Sequence, residues 1–111
     1  MDRMIDLQQQ LRAFAEDRDW GQFHSPKNLA MALIAECAEV VEHFQWMTDG
    51  EIEYLMEFED LTELSHELAD VLIYLTRLAD VLDVDLLDAA FDKLEKNRER
   101  FPAEEWRGRA R

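Results

Sequence analysis

Glycine and proline are scarce in this chain, 3 and 2 among 111 residues. A fold of many short strands needs more turn punctuation than that, so the expectation is an α-rich globular chain. The single cysteine, Cys37, rules out an internal disulfide. Flanked by Ala35 and Ala38, it is expected as a small buried thiol in a reducing, cytoplasmic compartment. The three histidines, His24, His43 and His66, show no zinc-ligand spacing. Gly21, Gly50 and Gly108 lie far apart with no Gly-Lys-Ser/Thr string, which excludes a P-loop, and no nucleophile elbow surrounds Ser25 or Ser65. An apolar run of the ~18 residues that a membrane helix needs is missing, so neither a span nor a signal peptide is expected. Positive charge is the last shortage: 12 Lys and Arg stand against 26 Asp and Glu, a net charge of −14. That sign repels a phosphate backbone, so nucleic acid is not an expected partner. A phosphorylated small molecule would need a metal to mediate.

What is present is helical periodicity. Ile5, Leu7, Leu11 and Phe14 predict an amphipathic helix ending near Arg18, and Asp19 to His24 then form a loop. Ser25-Pro26 pairs an N-cap with a residue suited to the first helical position. A second helix follows through Leu29, Leu33, Val40, Val41 and Phe44 to Trp46, with Thr48-Asp49-Gly50 as its stop. The acidic stretch EIEYLMEFED reads as a helical turn or two. A third long helix, from about Asp60 to Leu82, carries a broad leucine and valine face and should be central. Asp85 caps a fourth, running to about Arg100, and Phe101-Pro102 ends it. The fold class expected is all-α, a bundle of four main helices over residues 1–102, with 103–111 as a C-terminal tail lacking periodicity and open to motion. A single short domain buries only about two-thirds of its unfolded surface, so self-association is expected to complete the core.

Two of these helices carry acids three residues apart, Glu36-x-x-Glu39 and Glu67-x-x-Asp70, and such partners share a helix face. Glu36 has Leu33 and Val40 for helical neighbours, and Glu67 has Leu64 and Val71. The acids therefore interrupt apolar stripes. Desolvation and like-charge repulsion both oppose such a cluster, so a cation is called for, and oxygen ligands on facing helices suit Mg²⁺, with Mn²⁺ as a substitute. The alternative stays open at this point: among 26 acids, pairs at this spacing arise by chance as solvated surface.

The arrangement resembles a known family. Glu36-x-x-Glu39 and Glu67-x-x-Asp70, separated by 27 residues, are similar to the metal signature of the MazG-like all-α nucleoside triphosphate pyrophosphohydrolases. The strings RDWGQFHSPKNL (18–29), FQW (44–46) and ELADVLIYL (67–75), followed by Lys93 and Asn97, resemble the dCTP pyrophosphatase branch. The resemblance spans roughly Asp17 to Pro102. It implies a homotetramer built from dimers, which cleaves a (deoxy)nucleoside triphosphate to a monophosphate and pyrophosphate, dCTP or modified dNTPs being favoured, as a sanitiser of the nucleotide pool. By position it implies Glu36, Glu39, Glu67 and Asp70 as metal ligands and catalytic groups, with Glu39 chosen as the base. Trp20, Gln22, Phe23, His24 and Trp46 would enclose the nucleobase, and Tyr74, Lys93 and Asn97 would meet sugar or phosphates. A departure is Leu11, where the vertebrate dCTP enzymes have a histidine, and it argues against a strict dCTP preference.

Each residue has a plainer reading too. Trp46 and Tyr74 could be packing, His24 loop structure, and Lys93 and Asn97 solvated. Two rivals share the metal chemistry, a dUTP or broad-range dNTP pyrophosphatase and a phosphoribosyl-ATP pyrophosphatase. The rival of another class is a non-enzymatic acidic helical adaptor, which would show no dependence on divalent metal.

Overall fold

The computed structural model describes residues 2–110. Six α-helices follow one another: α1 (Arg3–Asp17), α2 (Pro26–Phe44), α3 (Asp49–Phe58), α4 (Thr62–Val81), α5 (Leu86–Arg100) and α6 (Ala103–Trp106), with one 3₁₀ turn at Gly21–Phe23. No strand occurs among the described residues. The all-α class is as expected, but the count is six rather than four. The stretch expected as a turn or two is the full ten-residue α3, and residues 103–106 of the tail form a helical turn.

Local chemistry places most boundaries. Asp2, Ser25, Thr48 and Asp85 each accept a backbone N–H of the first turn that follows, those from Met4, Asn28, Glu51 and Asp88 at 2.7, 3.1, 3.1 and 3.0 Å. Thr48 therefore starts α3, and Gly50 lies in its first turn instead of stopping α2. Asp60 does the same for α4, accepting from the Thr62 N–H at 3.0 Å and hydroxyl at 2.6 Å, which holds its carboxyl below the usual range.

Helices α1 and α4 end alike without glycine. Asp19 and Asp83 adopt left-handed φ of 53° and 56°. In each case the N–H of the following residue and the aspartate's own N–H reach back in the six-to-one and five-to-two pattern, Trp20 to Ala15 and Asp19 to Glu16, Val84 to Ala79 and Asp83 to Asp80. Aspartate is among the few side chains that tolerate this conformation. The first of these turns throws Trp20 back against Phe14 on α1, ring centroids 5.7 Å apart and edge-on.

Helices α2 and α4 pack on each other most extensively, and α1 packs on α4. At their junction lie the buried residues Ala15, Leu29, Thr76 and Ala79, Leu29 being only 1% exposed. Little else is buried. Leu68, Leu72 and Leu82 of the α4 stripe remain exposed in the single chain, as do Ile34, Phe58 and Phe91. The radius of gyration is 17.5 Å, where a compact chain of this length has about 13 Å. The accessible surface is 8981 Å², against roughly 6,400 Å² for a folded monomer of this mass. Cys37, expected as buried, is exposed, because it lies off the side of α2 that carries the half-buried Leu33, Glu36 and Val40.

One ionic network ties α1 to α4. Asp80 on α4, whose side chain is 8% exposed, accepts from Arg12 at 3.0 and 2.6 Å, from Gln8 at 3.0 Å and from Arg77 at 3.1 Å. The Arg12 hydrogen bond, followed by the charges of Arg12 and Arg77, holds the Asp80 carboxyl below its usual range despite burial, which acts the other way. A depressed carboxyl contributes stability above the unfolded value of about 3.9 and loses it as pH falls through the folded value. Asp80→Ala, which leaves the Arg77 charge without its partner, is expected to cost on the order of 3 kcal/mol at pH 7. Urea unfolding checks this: the gap between variant and wild type should close as the solution is acidified, and a gap independent of pH would refute the assignment.

Candidate metal centre

The pairing of α2 with α4 brings the two acidic pairs face to face. One carboxylate oxygen from each of Glu36, Glu39, Glu67 and Asp70 lies within 4.8 Å of the others. Glu39 is exposed and the other three are half-buried. Glu36 Oε2 and Glu67 Oε2 are buried and accept no hydrogen bond among the described residues.

The electrostatics match that crowding. The Glu36 carboxyl is pushed up first by burial, then by hydrogen bonding with Glu39 and by the charges of Glu39, Asp70 and Glu67. Glu67 is pushed up first by hydrogen bonding with Glu39, then by burial and by the charges of Glu39 and Asp70, with His43 partly offsetting them. Four like charges with two orphaned oxygens fit a hard cation, which would satisfy the oxygens and reverse the sign of the local field. An open depression of about 430 Å³ beside the cluster is lined by Glu39, Glu42, His43 and Glu67, giving a ligand access. His43 was not anticipated from the sequence, although its place four residues after Glu39 puts both on one helix face. A larger groove, about 520 Å³, lies between α1 and the α4–α5 turn and contains none of the four acids.

The remaining anticipated residues fall into three groups. Trp20, Gln22, Phe23 and His24 form one loop: Gln22 donates to the Asp19 carbonyl and carboxylate at 3.0 Å each, Asn28 donates to the Phe23 carbonyl at 3.0 Å, and Trp20 meets His24 edge-on at 6.3 Å. His24 is tied to α4 through Arg77, whose Nε donates to Nδ1 at 3.1 Å, and burial followed by the Arg77 charge pushes its pKa down. Tyr74 is half-buried one turn beyond Asp70 on α4, and Trp46, past the end of α2, is 87% exposed. Lys93 and Asn97 sit on α5, which packs extensively on no other helix, and neither borders the acid-lined depression. A single chain thus brings the four acids together and leaves the α5 pair apart.

The sequence profile of the MazG-like family matches residues 32–110, and so takes in most of α2, all of α4 and all four acids. The chain belongs to the MazG-like family. Among the relatives of this MazG-like chain is human (Homo sapiens) dCTP pyrophosphatase 1, 46% identical over 99 residues, 88% of this chain and 58% of that protein. The rat (Rattus norvegicus) dCTP pyrophosphatase 1 is 42% identical over 106 residues, 95% of this chain and 62% of its own length. The chain therefore spans about three-fifths of the length of these curated relatives. The crystal structure of a pyrophosphatase from Archaeoglobus fulgidus superposes with a TM-score of 0.83 at 40% identity, covering 92% of this chain and 94% of that one. No helix is long and apolar enough to cross a membrane among the described residues.

Proposed function

We propose that this MazG-like chain hydrolyses (deoxy)nucleoside triphosphates, dCTP or modified dNTPs foremost, to a monophosphate and pyrophosphate, as a cytoplasmic sanitiser of the nucleotide pool. The observation that carries this reading is the four-carboxylate cluster with its two orphaned oxygens, on a fold similar to a pyrophosphatase. Similarity to the dCTP pyrophosphatases favours the deoxynucleotide substrate.

Glu36, Glu39, Glu67 and Asp70 would hold Mg²⁺, or Mn²⁺ in its place, and the bound ion would grip the triphosphate and neutralise charge as the bond breaks. Glu39 is the exposed acid of the four and borders the open depression, so it is the group best placed to take a proton from the attacking water. That water adds to the α-phosphorus. The bond to the bridging oxygen breaks, and pyrophosphate leaves with the electron pair. Trp20, Phe23 and Trp46 offer exposed rings on which a base stacks, worth ~1–3 kcal/mol for any base, so choice among bases falls to Gln22 and His24. Tyr74 extends the α4 face of the acids toward the sugar.

The assembly belongs to the same proposal. The excess of accessible surface is of the order buried at obligate subunit interfaces, roughly 2,000–5,000 Å² each, as expected of a tetramer formed from two dimers. The phosphate or sugar contacts assigned to Lys93 and Asn97 then call for α5 of a neighbouring copy. Pyrophosphate release from a panel of canonical and modified dNTPs, with Mg²⁺ and with EDTA, tests reaction, metal and base together. Metal-dependent release from one or a few dNTPs is expected. No release even with Mn²⁺ would sink the enzyme and favour the acidic adaptor.

A further inference from the structure

We propose that Arg77, held by Asp80, is a positioning residue that locks His24 as its Nε2–H tautomer, so that the aromatic loop offers a bound nucleobase one fixed hydrogen-bond donor. This deepens the hydrolase reading and rests on it. The argument begins with a guanidinium, which donates hydrogen bonds and accepts none. Arg77 Nε lies 3.1 Å from His24 Nδ1, so Nδ1 must carry the lone pair. A neutral imidazole with its lone pair on Nδ1 has its proton on Nε2.

Arg77 is itself fixed. Its side chain is 12% exposed, and its NH1 donates to Asp80 Oδ2 at 3.1 Å. Asp80 is in turn pinned by Arg12 and Gln8 of α1. The tautomer is thus set by a chain of hydrogen bonds running from α1 through α4 to the loop. Nε2 lies on the ring edge away from Arg77 and makes no hydrogen bond among the described residues. His24 lies edge-on to Trp20, so the free donor accompanies a ring on which a base can stack. A fixed donor selects for an acceptor on the base, such as a pyrimidine carbonyl or ring nitrogen. An exocyclic amine placed there would meet donor against donor. The pKa of His24, lowered first by burial and then by the Arg77 charge, agrees.

A purely structural role for Arg77 would alter stability and leave the tautomer balance alone. The test is the long-range ¹H–¹⁵N NMR spectrum of His24 in the full chain, wild type against Arg77→Met and Arg77→Lys, read beside steady-state kinetics with dCTP. Wild type should show Nε2–H alone. Arg77→Met should add an Nδ1–H population and raise KM by roughly 3–10-fold, the weight of one hydrogen bond, with kcat little changed. Arg77→Lys, which keeps a donor, should restore most of both. An Arg77→Met protein that keeps Nε2–H alone, or that loses it with KM unmoved, overturns the proposal. The spectrum needs no substrate, so lack of turnover by the wild type would refute the hydrolase reading and the role given to the donor, while the tautomer lock is judged separately.

Discussion

Glu39→Gln is expected to lower turnover by about 10²–10⁴-fold, the range for loss of a general base, while the helical circular dichroism stays that of the wild type. The substitution keeps the shape of the side chain and removes one of four like charges gathered within 4.8 Å. With burial, which leads for Glu36, and with Asp70, Glu39 also raises both Glu36 and Glu67. Its neutralisation relieves repulsion in the metal-free protein, so the thermal midpoint in EDTA should rise. The stabilisation on adding Mg²⁺ should shrink, since an ion that binds the folded state alone stabilises it by an amount that grows with the logarithm of its affinity. Opposite shifts in the two conditions separate a metal centre from solvated acids, for which both would be close to zero. Near-normal turnover would remove Glu39 from the mechanism.

Ile34→Glu should break the assembly. Met31, Ile34 and Val41 run along the outward side of α2, and Ile34 is 71% exposed in the single chain. On a true surface such a change moves stability by about 0.5 kcal/mol or less. Between subunits it places an unpaired charge in an apolar contact, a penalty of several kcal/mol. Light scattering after size exclusion should show the wild type as several copies and the variant as a smaller species, with helicity reduced because so little of one chain is buried alone. A variant that assembles like the wild type would exclude this face, and a monomeric wild type would exclude the assembly.

The residues that made the helices legible act locally. Apolar side chains recurring at three and four, and Ser25 and Asp85 ahead of such runs, are one-helix properties that need no distant partner. The short α3 was harder, because its acids dilute the period and Gly50 reads as a stop when it is only part of a first turn. Residues 103–106 have too few positions to show any period. The ends of α1 and α4 lacked their usual glycine, and only the backbone shows that Asp19 and Asp83 take its place.

The amino-acid sequence alone determined the helical class, the caps Ser25 and Asp85 and the four acids, since an i, i+3 pair set into an apolar stripe is already anomalous before anything packs. Tertiary structure decided which of these meet. That the two acidic pairs converge and that two of their oxygens are buried without partners follow from how α2 lies on α4, while α5 packs extensively on neither. The links from Asp80 to Arg12, 68 residues away, and from Arg77 to His24, 53 away, have no sequence signature. A charge declares its type in the sequence, whereas its partner is chosen only when the helices are brought together.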